Sequence, residues 1–273
     1  MNKYLYHYTN VGVLALILKN RTIRFNSLDR MDDRQEEKTA DLDNVGQFCY
    51  VSAWTEDEEE SIPMWNMYAS LDYGVRIRLK CNPFKLYNID SECTIKDSGT
   101  DYEAKAMKTI IPFSEMKKGK FIVLNYDEDS PDFLQKVEYT SENKKLRPRL
   151  KGYNNETTVA RIRQLGRYKN RSWSFQKEWR YVIYAIPHLW DTPETEFKSF
   201  DDFCKEMVLG HGKQPVDYFE LKIDDEAFRE MEVTLSPCIK NGYRIIAHDL
   251  VEKYNPDAKI NESILHEQIN SSV

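Results

Sequence analysis

Trp173-Ser174-Phe175-Gln176-Lys177-Glu178-Trp179-Arg180, running on into Tyr181-Val182-Ile183-Tyr184-Ala185-Ile186, is the stretch on which the reading of this chain turns. The second half is rich in β-branched and aromatic residues and reads as a buried strand. Side chains alternate faces along a strand. That alternation predicts Gln176, Glu178 and Arg180 on one face and Phe175, Lys177, Trp179 and Tyr181 on the other. An amide, a carboxylate and a guanidinium at the mouth of an apolar strand are costly unless they meet a ligand or a partner. The competing reading is an edge strand with a solvated polar row.

Outward from this stretch, charge is unevenly spread. Residues 144–171 hold ten Lys/Arg against one acid, Glu156, although the whole chain carries a net charge of −6. Such a block attracts phosphate, in a dinucleotide or in nucleic acid. Arg161, Arg163, Arg167, Tyr168, Lys169 and Trp173 are the candidate nucleic-acid or acceptor contacts, with aromatic rings able to stack on bases. A solvated helix face balancing the acidic run Glu56-Asp57-Glu58-Glu59-Glu60 is the alternative.

The bulk numbers bound the class. In 273 residues, 41% hydrophobic and 31% charged residues fit a globular protein with a sizeable core. No apolar run approaches the ~18–20 residues that span a bilayer. Met1–Tyr6 enters a strand at once, without the apolar stretch of a signal peptide, so a cytoplasmic protein is expected. Cys49, Cys81, Cys93, Cys204 and Cys238 are scattered, which favours reduced thiols over disulfides. The histidines (His7, His188, His211, His248, His266) are equally dispersed, and no metal site is expected.

Along the chain, Tyr4–Thr9 predicts a strand and the spacing of Val11, Leu14, Ile17 and Leu18 a helix capped by Thr9 or Asn10. Strands are expected at 22–25, 48–54, 75–79 and 121–126, with a short helix over 61–70. Helices are expected over 131–139, 155–168, 215–221 and 225–231. Strands are expected at 203–209, 233–235 and 244–247. The simplest account is one α+β domain over residues 1–260, with 261–273 as a C-terminal tail. No G-x-G-x-x-G or G-x-x-x-x-G-K-[ST] phosphate cradle is present.

Four blocks carry a resemblance: Leu5-Tyr6-His7-Tyr8-Thr9; Arg24-Phe25-Asn26-Ser27-Leu28 with Met31-Asp32-Asp33 and Glu36 or Glu37; Val51-Ser52-Ala53-Trp54 leading to Met64-Trp65-Asn66-Met67-Tyr68; and Trp173 through Arg180. Together they resemble the domain-of-unknown-function 2971 family of mostly bacterial proteins, with Leu209-Gly210 fitting a later strand-glycine pattern. One departure is Gln176, where that family usually carries a second Glu. A deeper similarity is to ADP-ribosyltransferases, a fold-level analogy. It implies a mixed or antiparallel split β-sheet with flanking helices, His7 on the first strand, and Gln176-Lys177-Glu178 as the bipartite catalytic motif.

What that similarity implies is NAD as substrate and transfer of ADP-ribose to a macromolecular acceptor, RNA or DNA among the candidates. It also implies a toxin or anti-phage role with an antitoxin as possible partner. Glu178, Gln176 and His7 are then the candidate catalytic residues. His7, Tyr8, Thr9, Arg24, Ser52, Trp65 and Tyr68 are the candidate NAD contacts. Cleaving the nicotinamide–ribose bond leaves an oxocarbenium-like sugar, which a fixed carboxylate stabilises best in the transition state. Arg24, Arg76 and the basic segment are candidates for the pyrophosphate. Two other readings stand beside this: a nucleic-acid-binding protein without NAD chemistry, and a catalytically silent interaction module.

Overall fold

The computed structural model describes residues 4–88, 94–97, 100–103, 108–125, 132–154, 157–187 and 213–269. Strand β1 (Tyr4–Asn10) leads into helix α1 (Val11–Asn20). The Asn10 side chain accepts from the Val13 amide at 3.0 Å, and Arg21, at φ 52°, ends the helix in a left-handed turn. Then come β2 (Thr22–Ser27), β3 (Cys49–Thr55), α2 (Ile62–Met64) with a π-turn over Trp65–Ala69, and β4 (Gly74–Lys80). Two small ribbons follow: β5 (Tyr87–Asn88) with β8 (Lys108–Thr109), and β6 (Thr94–Asp97) with β7 (Thr100–Glu103).

After α3 (Phe113–Gly119) come β9 (Phe121–Val123), β10 (Leu134–Lys136), β11 (Glu138–Thr140), α4 (Asn143–Leu146), β12 (Lys151–Asn154), β13 (Thr157–Ala160) and β14 (Tyr168–Asn170). A 3-10 segment, Arg171–Gln176, runs into β15 (Glu178–Pro187). The described chain finishes with β16 (Tyr218–Lys222), α5 (Asp225–Arg229), β17 (Glu232–Leu235), α6 (Asn241–Tyr254) and β18 (Lys259–Asn261).

The main sheet runs β10-β15-β3-β1-β4-β17-β18, with β16 joined through β2 to β3 and β9 to β15. Its pairs are antiparallel except β17–β18. The result is a mixed α+β fold with flanking helices. Side-chain alternation on β15 divides the core. Tyr181, Ile183 and Ala185 join the larger cluster with Trp54, Ile77 and α1, while Val182, Tyr184 and Ile186 pack with Val51, Leu165 and Phe48 on the other face.

The outer edge of β3 is shared between two neighbours. Val51 and Tyr50 pair with β2, and Thr55 pairs with Tyr6 of β1. Ser52, Ala53 and Trp54 lie between those pairings. There the His7 ring reaches across the gap, with its Nδ1 2.8 Å from the Ala53 carbonyl. That side-chain contact supplements the single β1–β3 pairing, and the two strands remain neighbours in one sheet.

Several expected elements differ. Where helices were expected over 131–139 and 155–168, the described residues 132–139 and 157–168 hold strands and a 3-10 turn, since Leu134–Lys136 pairs with β15 and Thr157–Ala160 with β12. Residues 215–221 hold β16, whose alternating exposure satisfies β2. The expected strand at 244–247 lies inside helix α6, where Ile245 and Ile246 face outward. Gln176 sits before β15, not on it. Lys177, at φ 44°, makes a left-handed turn between them. Residues 261–269 pack on the body: Ser263 is buried, its hydroxyl bonds Glu60, and His266 Nδ1 lies 2.9 Å from the Pro237 carbonyl. The expected strand at 203–209, Leu209-Gly210, Tyr126, Glu156, Cys93, Cys204, His188 and His211 lie outside the described residues.

Candidate functional site

Beside the His7–Ala53 contact, a pocket of about 80 Å3 is lined by residues from strands β1, β3 and β15 of the main sheet and from four further segments. Tyr6, His7 and Tyr8 come from β1, and Ala53 and Trp54 from β3. Met31, Asp32, Met64 and Tyr68 close one side; Lys169, Gln176 and Glu178 close the other. Pockets for drug-sized ligands run to about 300–1,000 Å3, so this one takes a ring-sized group and not a whole dinucleotide.

Glu178 opens β15 and is buried in a four-membered charge cluster. One carboxylate oxygen accepts from Arg180 Nε at 2.5 Å and the other from Lys169 Nζ at 3.2 Å. Glu36, from the segment after β2, bridges the same two cations, with Lys169 Nζ at 3.0 Å. The four side chains are at most 4% exposed. Two anions face two cations, which is what makes their burial tolerable. Burial works to raise the Glu36 carboxyl, but the charges and hydrogen bonds of Arg180 and Lys169 outweigh it and hold Glu36 below the usual carboxylate range. Arg180 is raised well above its ordinary value: burial opposes its charge, and Glu178 and Glu36 overcome that.

Gly166 completes the cluster. Its carbonyl accepts from Arg180 Nη1 at 3.1 Å, and its φ of 73° is a conformation that side chains with a Cβ rarely adopt. The Glu178 amide donates to the Tyr139 hydroxyl at 2.8 Å, which fixes the start of β15.

A second chain of hydrogen bonds crosses the pocket. Tyr68 donates its only proton to the Asp32 carboxylate at 2.7 Å, so the Gln176 group facing the Tyr68 oxygen is the amide NH2. Gln176 Oε1 therefore points elsewhere, and it is buried with no hydrogen-bond partner. Burial, then Asp32, then Glu178 push the Tyr68 phenol well above its ordinary value, and it stays a neutral donor.

His7 is neutral, because burial lowers its pKa against the opposing pull of the Ala53 carbonyl. Its Nδ1–H donates to that carbonyl, and the tautomer leaves Nε2 as an acceptor on a residue lining the pocket. The ring lies against Trp54, centroids 5.1 Å apart.

Of the residues singled out in sequence, the pocket brings together His7, Tyr8, Tyr68, Gln176, Glu178 and Lys169. Thr9, Arg24, Ser52 and Trp65 do not line it. Arg24 pairs with Glu220 at 2.7 Å and lies over the Tyr218 ring. Ser52 accepts from Trp54 Nε1 at 3.0 Å. Trp65 is fully buried, edge-on to Tyr8, and donates to Glu60 at 2.9 Å. Thr9 is buried opposite Val75 in the sheet. Arg76 is buried as well, stacked on Tyr6 and donating to the Glu58 carbonyl, so it is committed within the protein.

Lys169 is corrected from a surface cation to a buried partner of Glu178. Arg163 and Arg167 are exposed but paired, with Asp132 and Glu138. Arg161 is exposed, Tyr168 half-buried under Arg167, and Trp173 half-exposed. Asp32 and Glu36 had no assigned role in the sequence reading, although Met31-Asp32-Asp33 with Glu36 was part of the resemblance. Among the described residues no cluster of metal-ligating side chains exists, and no helix is long and apolar enough to cross a membrane. Cys49, Cys81 and Cys238 form no disulfide with one another.

Searches of curated proteins and of solved structures each returned no match. The model of one family, described as "Protein of unknown function (DUF2971)", matches residues 64–181, which covers Tyr68, Lys169, Gln176 and Glu178. Over that segment, less than half of the chain, the protein is similar to the DUF2971 family.

Proposed function

We propose that the pocket beside the His7–Ala53 contact binds the nicotinamide–ribose end of NAD, and that the protein transfers ADP-ribose from NAD to a macromolecular acceptor. One observation carries this reading: His7, Tyr68, Gln176 and Glu178, contributed by separate elements, line a single pocket. A ring-sized cavity walled by Tyr68, Met31 and Met64 suits the flat nicotinamide, with the rest of the dinucleotide outside it.

Glu178 is suited to the step in which positive charge develops on the ribose. Lys169 and Arg180 each grip one of its oxygens, so the carboxylate is oriented before substrate arrives. Preorganised charge of this kind needs no rearrangement as the sugar becomes oxocarbenium-like. His7 Nε2 would accept a ribose hydroxyl. No atom of the protein is consumed: the C–N bond breaks, nicotinamide leaves neutral with the bonding electron pair, and an acceptor nucleophile bonds to the anomeric carbon and releases its proton to solvent.

The test is nicotinamide release from NAD, with label transfer to RNA, DNA and cell lysate measured in parallel. Wild type should release nicotinamide, and Glu178→Gln should reduce release by about 10²–10³-fold while its circular dichroism is unchanged. Absence of both release and transfer in the wild type would leave the buried charges as a structural cluster and refute the proposal.

A further inference from the structure

We infer that the surface running from Trp173 and Phe175 to Arg171, Lys144 and Arg147 is a docking site for single-stranded nucleic acid, placing a nucleotide at the mouth of the Glu178 pocket. This rests on the proposed function for its consequence, since the docked strand would be the acceptor; the docking itself can be measured without NAD.

The inference starts at Lys169. Its ammonium contacts the Glu178 carboxylate on one side and lies 4.8 Å from the centroid of the Trp173 ring on the other. Trp173 is therefore one side chain away from the pocket wall. Its ring is half-exposed and lies 6.4 Å, centroid to centroid, from that of Phe175, which is half-exposed as well. Two tilted aromatic rings, one of them against the Lys169 that lines the pocket, form a platform for bases, which stack without regard to sequence.

Cations adjoin the platform. The 3-10 segment carrying both rings packs on β14, and α4 packs on β14 as well. Arg171 begins that segment, and Lys144 and Arg147 belong to α4 and its end. All three are exposed, and no acidic partner stands against them among the described residues. Their neighbours differ: Lys145 is paired with Glu142, Arg163 with Asp132 and Arg167 with Glu138. Three exposed cations and two rings, carried by elements that share β14, suit the alternation of phosphate and base along a single strand. A duplex keeps its bases stacked inside and offers the rings nothing.

The experiment uses the full chain and fluorescein-labelled oligo-U, oligo-dT and a duplex of the same length, followed by anisotropy at 50 and 200 mM salt without NAD. The two single strands should bind, the duplex should bind at least tenfold more weakly, and affinity should fall with salt. The combined variant Arg171→Ala, Lys144→Ala, Arg147→Ala should lower the logarithmic salt slope by about 2. Trp173→Ala should weaken binding about tenfold, and Trp173→Phe, which keeps a ring over Lys169, should recover most of it. A preference for oligo-U or oligo-dT would name the strand chemistry.

No binding at 50 mM salt, equal binding of the duplex, or an unchanged slope in the triple variant would overturn the inference. Nicotinamide release is read separately. A protein that turns over NAD but ignores single strands loses this inference alone; one that binds strands but leaves NAD intact loses the proposed activity alone.

Discussion

Lys169 and Arg167 stand two residues apart in the same basic stretch and meet opposite fates. Lys169 is buried at the pocket, bound to Glu178 and Glu36, whereas Arg167 lies on the surface against Glu138, both about half exposed. The residue types are alike and the energetics are not. A pair in water gains little because solvent screens it, while a buried pair that loses one partner leaves an uncompensated charge in a medium that cannot solvate it. Position relative to β15 decides which case applies: Lys169, within β14, is buried against the first residue of β15, and Arg167, just before β14 begins, is exposed.

The comparison can be broken first at its buried end. Arg180→Ala should destabilise the protein by about 3–5 kcal/mol, because it strands Glu178 and Glu36 together with one cation. Urea denaturation measures this, and a loss under 1 kcal/mol would show that the cluster is not held as described. The next effect lies in the hydrogen-bond chain. Tyr68→Phe removes the donor to Asp32 and the acceptor for Gln176, and should cost about 1–3 kcal/mol by the same measurement.

A smaller, pH-dependent effect belongs to His7. Its folded pKa lies below the ordinary value of about 6.5, so between the two values the unfolded chain binds more protons than the folded one. His7 therefore makes stability fall as pH drops below about 6.5, by at most about 1.4 kcal/mol per unit, and has no effect above that. Denaturation midpoints of wild type and His7→Gln from pH 7.5 to 5 should converge as pH falls; parallel curves would mean that His7 is not held neutral. At the exposed end, Arg167→Ala should change stability by less than about 1 kcal/mol, and less still in 0.5 M salt.

Much of this site was legible in the sequence where a period of two was at work. Glu178 and Arg180 share a face of β15, as alternation requires, and Tyr4–Thr9 forms the strand that carries His7. Gln176 escaped the same rule because Lys177 takes a left-handed turn, and nothing in a Gln-Lys-Glu triplet announces a positive φ. Lys169 was taken for a surface charge because composition cannot say which of ten cations meets a buried carboxylate 133 positions earlier in the chain, at Glu36.

Two elements were misread. Ile245-Ile246 suggested a strand by β-branching, yet they lie on the exposed side of α6, whose buried residues are Ala247 and Val251. A helix was expected over 215–221, where β16 instead turns Phe219 and Leu221 toward the core. The His7–Ala53 contact between β1 and β3 was not legible in the sequence, since it joins one imidazole to a backbone carbonyl 46 positions away.

The central claim is that Glu178 and His7 face one bound sugar in one pocket. A crystal structure of Glu178→Gln soaked with NAD tests it most directly. The account predicts density for the nicotinamide ring beside Tyr68, with a ribose hydroxyl on His7 Nε2 and the anomeric carbon turned toward residue 178. An NAD molecule bound elsewhere with this pocket unfilled would contradict it.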